Sequence, residues 1–406
     1  MIKKNILIIS VYYPPIQSIA SNRIYSFAKY LNKDIYNVHV HTMEEEKQFN
    51  NDLFGVEVTR SQNRSLMKPF TFTKRTNRFI HYSKVAYNIV IKKIKKNIYQ
   101  KWIDESYELL KNKIKQNNID LILSSFSPDA SHLVALKLKK DFPNIKWIAD
   151  MRDEMSCSPF IDKRTEEYYK LLEQEIFKFA NAITTVSKPI LDDFRSLSNN
   201  NRLLYKEIRN GYDFEIKNLI EKNDIFTIGY IGNFYGGINP NNFLKALTLL
   251  IEESKIVDFN LKFIGVKTHF EIPKSIESHL TILPTVAHPE AIKEMQSSDA
   301  LLLLHPNNGR KGVYTGKIFE YLATTKPIIA FVDSSDVASD LIKKCNAGYV
   351  SDFDNIEGIK EVIMNVYNDW KSDIIKEVDM NVIKMHHRKE QVKRLESLIE
   401  ELMNEK

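Results

Sequence analysis

Residues Gly312–Phe331 read G-V-Y-T-G-K-I-F-E-Y-L-A-T-T-K-P-I-I-A-F. A small, flexible lead-in, Gly312–Gly316, runs into a helical stretch over Lys317–Ala323 that stops at Thr324-Thr325-Lys326-Pro327; a short apolar strand, Ile328–Val332, follows. Thr315 is placed to cap the helix, and Gly316 lets a ligand approach the backbone closely. The first free N–H groups of such a helix, the positive end of its dipole and Lys317 together make an anion site. One turn in, Glu320 offers two acceptor oxygens that suit the paired hydroxyls of a ribose. A phosphate site beside a diol acceptor is what a nucleotide needs. The bland alternative is a loop, an amphipathic helix and a buried strand with no ligand.

Outward from this stretch, the chain alternates strand and helix. Asn5–Val11 is a continuous apolar run of the kind a central parallel strand shows. Tyr12-Tyr13-Pro14-Pro15 ends it, Ser21–Leu31 has helical spacing, and Val38–His41 returns as a strand, which opens a doubly wound sheet. Ligands in such sheets lie beyond the carboxyl ends of strands, so the Tyr12–Ser21 loop is placed to touch one, with Arg23 its only fixed charge. No G-x-G-x-x-G follows the strand, which excludes a dinucleotide fingerprint. Further strands are expected at Asp120–Ser124, Trp147–Asp150 and Ala182–Ser187, with helices at about Asp104–Gln116, Tyr168–Phe179 and Lys188–Ser196. After a polar linker, Phe214–Asp224, the alternation restarts at Phe226–Asn233. There Gly229, Gly232, Gly236 and Gly237 cluster at a strand-to-helix turn whose amides can face a phosphate. Strands at Leu261–Gly265, Leu280–Leu283 and Ala300–Leu304 follow. A last helix, about Val382–Leu402, carries Ile383, Val392, Leu395, Leu398 and Ile399 as a packing stripe.

At 406 residues the expectation is two or three domains. An apolar content of 43% and a charged content of 27% are ordinary for a soluble protein. Cys157 and Cys345 are the only cysteines, so no disulfide framework or cysteine metal site is expected, and a reducing compartment fits. The N-terminal M-I-K-K-N-I-L-I-I-S-V is too short a run for a signal peptide, and no run is long enough to span a membrane. The net charge of +6 is unevenly placed: from Val58 to Ile103 there is no Asp or Glu but twelve Lys or Arg, interleaved with Phe70, Phe72, Phe79, Tyr82, Tyr87, Tyr99 and Trp102. One reading is a solvated basic face. The other is contact with an anionic membrane surface, where each basic residue contributes roughly 1 kcal/mol. Basic and aromatic chemistry also suits nucleic acid, but no nucleic-acid module accompanies it, so no nucleic-acid partner is expected.

Two further clusters bear chemistry. Ser131-His132 begins a helix aimed at the same sheet edge, where a lone histidine is ordinarily structural. Asp150-Met151-Arg152-Asp153 puts two carboxylates and a guanidinium at one strand terminus, either as a structural salt-bridge knot or as contacts to an acceptor hydroxyl. Asp352-Phe353-Asp354 has the look of a metal-binding D-x-D, but its place after Gly348-Tyr349-Val350 suits a helix cap better; no metal site is expected.

Gly316–Ile329 resembles the nucleotide-sugar signature of the GT-B glycosyltransferases, in particular the large retaining family 4, with its K-x-F/Y-E-Y-x-A-x-x-K-P-I/V-I pattern. Trp147–Asp153 is similar to the W-I-A-D-x-R-D runs of family members that build bacterial surface polysaccharides, and Ile208–Asp213 to the family's I-x-N-G-Y/V-D. The resemblance implies two Rossmann-like domains facing across a cleft: 1–215 on the acceptor side, 225–380 on the donor side, and 381–406 returning to the first. It implies that Glu320 holds the ribose, and that Lys317 with the Thr315–Lys317 amides faces the diphosphate. His132 is implied against the donor sugar, Asp150 or Asp153 at the acceptor hydroxyl with Arg152 steadying them, and Thr285, Val286 and His288 at the base. The family's usual phosphate-loop cations are replaced by Asn233 and Gly236, beside Gly232, so Arg310 and Lys317 are expected to supply the charge. Eight positions before Glu320 the family often has a second Glu near the donor sugar; this chain has Gly312. The activity implied is metal-independent, retaining transfer of a sugar from a nucleotide-sugar donor, UDP favoured, to a hydroxyl of a lipid-linked saccharide in capsule or O-antigen synthesis. No cofactor is implied, and the place would be cytoplasmic, peripheral on the inner membrane face. A nucleotide-sugar 2-epimerase of the same fold and a non-catalytic nucleotide-binding scaffold remain as alternatives.

Overall fold

Strands that are apolar at odd and even positions alike must be covered on both faces. The computed structural model, which describes residues 3–16, 18–44, 54–62, 98–217, 222–234, 237–307 and 309–404, covers them so. Its strands are β1 (Lys4–Ile9), β2 (Tyr36–Met43), β3 (Glu57–Ser61), β4 (Leu121–Ser125), β5 (Lys146–Asp150), β6 (Ala182–Thr185), β7 (Leu204–Glu207), β8 (Phe226–Ile231), β9 (Phe259–Ile264), β10 (Leu280–Leu283), β11 (Ala300–Leu304), β12 (Ile328–Phe331) and β13 (Gly348–Ser351). Between them run α1 (Ile19–Tyr30), α2 (Gln100–Asn117), α3 (Ala130–Asp141), α4 (Lys163–Phe179), α5 (Lys188–Leu197), α6 (Asn241–Glu252), α7 (Lys274–Glu277), α8 (His288–Ser297), α9 (Gly316–Thr324), α10 (Val337–Lys344) and α11 (Ile356–Lys371). Two helices, α12 (Met380–Lys384) and α13 (Arg388–Asn404), end the chain.

The strands form two parallel sheets, ordered β3-β2-β1-β4-β5-β6-β7 and β10-β9-β8-β11-β12-β13. In β1, Leu7 and Ile9 enter one core with Trp102, Ile122 and Trp147, while Ile6 and Ile8 enter another with Ile24, Phe27 and Leu123. The second sheet divides its faces the same way, with Leu302 and Leu304 on one side and Leu301 and Leu303 on the other. In each sheet the chain reverses its winding between the first strand and its later neighbour, β1 beside β4 and β8 beside β11. Ligands of open α/β sheets bind in the crevice beyond such a switch point.

The expected closing helix is two helices. Ile383 in α12 packs into the core of the second sheet, whereas Val392, Leu395, Leu398, Ile399 and Leu402 in α13 pack against the first. The chain crosses between the lobes at Met385–His387, beside the first crossing at Ile208–Asp213. Tyr212 pairs with His387, the Arg388 amide donates to the Tyr212 carbonyl at 3.0 Å, and the Gln391 side chain accepts from the Arg209 amide at 2.8 Å. Gly211 permits this contact, since a Cβ there would lie 2.2 Å from the His386 carbonyl oxygen.

Most of the basic window, residues 63–97, lies outside the described residues, and with it most of the expected membrane contact; Gly236 also lies outside them. One aromatic of that window is corrected. Trp102 is fully buried and stacks on His41, with ring centroids 5.8 Å apart, so it belongs to the core and not to a membrane surface. Asp352 accepts from the Ser334 amide and Asp354 from Asn242, while Asn355 caps α11. No described helix is long and apolar enough to cross a membrane.

Candidate active site in the cleft

Gly316 starts α9 at the mouth of the gap between the two sheets. Ile19 of the first lobe sits over it: a Cβ on Gly316 would meet the Ile19 Cδ1 at 2.8 Å. The helix start opens into two adjoining hollows of about 320 and 400 Å³ that share Ile19, Asn210, Ile238, Thr315 and Gly316. Thr315 has the extended backbone of a capping residue, but its side chain makes no cap bond, and its Oγ1 is buried without a partner. The expected side-chain cap is therefore absent, and the amides at the head of α9 stay open to an anion.

The first hollow gathers Gly232, Asn233, His288, Thr315, Gly316, Lys317 and Glu320 from the second lobe, facing Asn22, Arg23, Arg209 and Asn210 of the first. The Lys317 ammonium donates to the Tyr230 hydroxyl at 2.8 Å and lies 3.9 Å from the centre of that ring. Burial pushes its pKa down to about 7. Glu320, one turn on, accepts from His288 Nε2 at 2.8 Å, and this bond raises the histidine's pKa. Its second oxygen has no bond among the described residues. Glu320 is the single carboxylate among the residues lining this hollow, against Arg23, Arg209, Lys317 and Arg388; of these Arg23 is paired with Asp150 and Arg209 with Glu207 behind the wall. Open helix amides with Lys317 and Arg388, neither of them ion-paired among the described residues, beside one acceptor carboxylate, suit a diphosphate joined to a diol.

The second hollow holds Arg152, Asp153, Phe160, His305, Arg310 and Tyr314, with Thr315 and Gly316 at its inner end. Arg310 of the second lobe pairs with Glu154 of the first, and Arg152 donates through Nε to the Phe126 carbonyl.

Several expected site residues stand elsewhere. Asp150 is fully buried and accepts four hydrogen bonds: from Arg23 Nε at 2.9 Å, Arg23 Nη2 at 2.7 Å, and Ser125 and Thr184 at 2.8 Å each. It has nothing left to offer an acceptor hydroxyl, and its partner is Arg23, not Arg152. The salt-bridge knot is the correct reading for this carboxylate. His132 is likewise enclosed: Nδ1 bonds the Ser124 hydroxyl at 2.7 Å, the ring stacks on Phe126, and it lines neither hollow. Burial pushes its pKa down to about 4, which favours the neutral imidazole, and its Nε2 is buried without a partner. The Asn233 side chain accepts from the Lys267 and Thr268 amides and so ties a loop while its residue edges the hollow. Thr285 sits beside the Gly265 turn and Val286 packs on the second lobe's core; neither lines the hollows.

Sequence reasoning missed Arg388, Gln391 and Arg209, which the two crossings bring to the first hollow. Nothing local to the H-H-R-K stretch signals this, because the placement depends on where α13 returns. Arg23 had a signal, as the only fixed charge near the first loop. Among the described residues no group of three or more His, Cys, Asp or Glu side chains could hold a metal.

No protein-family model matches the chain, and no curated protein matches it either. Solved structures do. A glycosyltransferase from Rickettsia africae aligns over 100% of both chains with a TM-score of 0.67 at 14% identity. Anabaena HepE, solved in complex with UDP-glucose, aligns over 98% of this chain and 99% of its own, with a TM-score of 0.61 at 14% identity. The lipopolysaccharide outer core galactosyltransferase WaaB aligns over 97% and 99%, with a TM-score of 0.58 at 14% identity. These likenesses show the fold: two parallel-sheet lobes over the full chain, the GT-B architecture.

Proposed function

We propose that the protein is a retaining glycosyltransferase that moves a sugar from a nucleotide-sugar donor, UDP-linked by preference, to a hydroxyl of a lipid-linked saccharide in surface-polysaccharide synthesis. The observation that carries this reading is the head of α9: unblocked amides at Gly316 and Lys317, with the Glu320 carboxylate one turn later, open into one hollow in the cleft. The diphosphate would take the amides and the Lys317 ammonium, and the ribose hydroxyls the free oxygen of Glu320, held in place by His288.

On this reading the chain's chemical work is to stabilise the leaving diphosphate. Helix amides and fixed cations do so without reorganising as charge develops. Arg388, which donates to the Gly211 carbonyl at 2.9 Å, adds fixed positive charge from the opposite lobe, where Arg23 is held in place with its charge balanced by Asp150. Closure of the lobes would exclude water that could hydrolyse the donor. With Asp150 locked, Asp153 is the carboxylate of the cluster that remains accessible, about half exposed at the second hollow. It is our candidate contact for the acceptor hydroxyl.

The lipid-linked acceptor rests on the sequence likeness and on the basic window, which would place the enzyme peripherally on the inner membrane face. Flotation with anionic and neutral vesicles at low salt tests that part; equal recovery with both would remove it. The activity is tested by incubating the protein with UDP-, GDP-, dTDP- and CMP-sugars, with and without saccharide acceptors. Release of nucleoside diphosphate only when acceptor is present supports transfer, and an anomeric assignment of the product tests retention. Epimerised donor in the absence of acceptor would favour a 2-epimerase instead. Gly312 does not favour a non-catalytic scaffold, because its lack of a side chain has a packing cause: a Cβ there would lie 2.6 Å from the Ser187 hydroxyl.

A further inference from the structure

The diphosphate and ribose take the first hollow; in the second, about 400 Å³, Asp153 is the candidate acceptor contact, but the arginines beside it have no ligand assigned. Its walls carry two guanidiniums from different lobes, both nearly enclosed: the Arg152 and Arg310 side chains are 12% and 18% exposed. Each has five N–H donors in a planar fork. Arg152 uses Nε on the Phe126 carbonyl, and Arg310 uses Nη2 on Glu154. Asp153 stands 3.9 Å from both guanidiniums, too far for a hydrogen bond to either. Arg310 Nε, His305 Nδ1 and Thr315 Oγ1 are buried without partners, and all three residues line this hollow. Unfilled donors on enclosed guanidiniums are costly to leave unmade; a carboxylate or a phosphate fills two forks at once, and with the diphosphate placed at the head of α9 the carboxylate is the group left for this hollow. At the rim Phe160 is 61% exposed, with the Arg310 guanidinium 5.8 Å from its ring centre, and offers a flat apolar face to the C–H side of a pyranose.

We propose that the second hollow binds a carboxylate-bearing sugar, its acid between Arg152 and Arg310 and its ring against Phe160. The inference rests on the glycosyl-transfer reading. The hollow meets the first at Thr315 and Gly316, so a sugar there lies next to the diphosphate, either as the transferred unit or as the acceptor unit. A carboxylate entering between the arginines can bond both at a distance that Asp153, 3.9 Å from each, does not reach.

Calorimetric titration separates the two sources. One arm compares UDP, UDP-glucose and UDP-glucuronic acid; the other compares methyl glucoside with methyl glucuronide, on UDP-saturated and on nucleotide-free protein. We expect the acidic sugar to bind about tenfold or more tightly than its neutral counterpart in one arm, the change one charge-assisted hydrogen bond brings. Arg152→Gln should abolish that preference while UDP affinity stays within about twofold. Asp153→Asn, which removes the competing charge and keeps the fold, should strengthen binding of the acidic sugar. Equal affinity of acidic and neutral sugars in both arms, with UDP still bound, overturns the inference and leaves the transferase reading standing. Loss of UDP affinity in Arg152→Gln equal to the loss for UDP-glucuronic acid also overturns it, by assigning the arginines to the diphosphate. Failure of every nucleotide to bind sinks the transferase reading, while the nucleotide-free glycoside arm still decides the acid preference.

Discussion

Gly232 leaves open the space through which Lys317 reaches the cleft. A Cβ on Gly232 would lie 2.7 Å from the Lys317 Cε and 2.8 Å from its Nζ, and the glycine's φ of +124° is closed to other residues. Gly232→Ala should therefore both strain the end of β8, at about 1–3 kcal/mol, and push the ammonium away from the head of α9. Urea unfolding should record the loss of stability, and calorimetry a nucleotide affinity lower by about tenfold, one charge-assisted bond. Unchanged nucleotide affinity would place Lys317 outside the anion site.

Lys317 gives the site a pH dependence of definite sign. Burial holds its pKa down to about 7, and a bound diphosphate favours the charged form, so binding raises that pKa. Affinity for a nucleotide sugar is then full below pH 7 and falls as pH rises through about 7. Titrations of UDP-glucose near pH 8 in buffers of different ionisation enthalpy should show net proton uptake. His288 titrates beside it, its pKa raised by the bond to Glu320. Lys317→Arg, always charged, should remove the lysine's share and flatten the profile; an unaltered profile would assign the dependence to His288.

Asp150 contributes stability through its buried ion pair with Arg23. Burial raises its pKa, but the Arg23 charge and the bonds from Arg23, Thr184 and Ser125 outweigh burial and hold it below the ordinary carboxylate range. A depressed folded pKa means stability present above the unfolded value near 4, lost as pH falls through the folded one. Asp150→Asn should destabilise by about 3–5 kcal/mol, the cost of stranding a buried partner charge. Denaturation from pH 3 to pH 7 should show the wild-type advantage shrinking on acidification. An equally stable mutant would remove the pair from the core.

The fold was legible because its signals are local. Apolar runs such as Asn5–Val11 and the punctuation of Lys326-Pro327 mark strands and helix ends without reference to the rest of the chain. The head of α9 was legible for the same reason: Thr315, Gly316, Lys317 and Glu320 lie within six residues. What was not legible is which polar residue meets which. Asp150 and Arg23 are 127 positions apart, so the sequence offered the nearer Arg152 as partner. The break at Met385–His387 was masked by a continuous helical pattern, and with it the arrival of Arg388 in the cleft. His132 has the position of a site residue, but a short side-chain bond to Ser124 turns it into the core.

Gly312 is a packing requirement. Its φ is +81°, a Cβ would meet Ser187 at 2.6 Å and Pro189 at 2.9 Å, and its amide donates to Asp336 at 2.7 Å. Gly312→Glu, which places there the carboxylate that the resemblance implies, should cost about 1–3 kcal/mol of stability. It should bring no gain in donor turnover. A stable, more active variant would show that the loop re-forms around the new carboxylate.

The measurement that bears most directly on the central claim is calorimetric titration of UDP into wild-type protein and Glu320→Ala. The exposed His288 loses little by the change, so the variant isolates the diol acceptor. We predict an affinity lower by about 1–3 kcal/mol, roughly five- to 150-fold in Kd, with the fold intact. Wild-type binding that Glu320→Ala leaves unchanged would mean that no ribose sits one turn into α9, and would contradict the account.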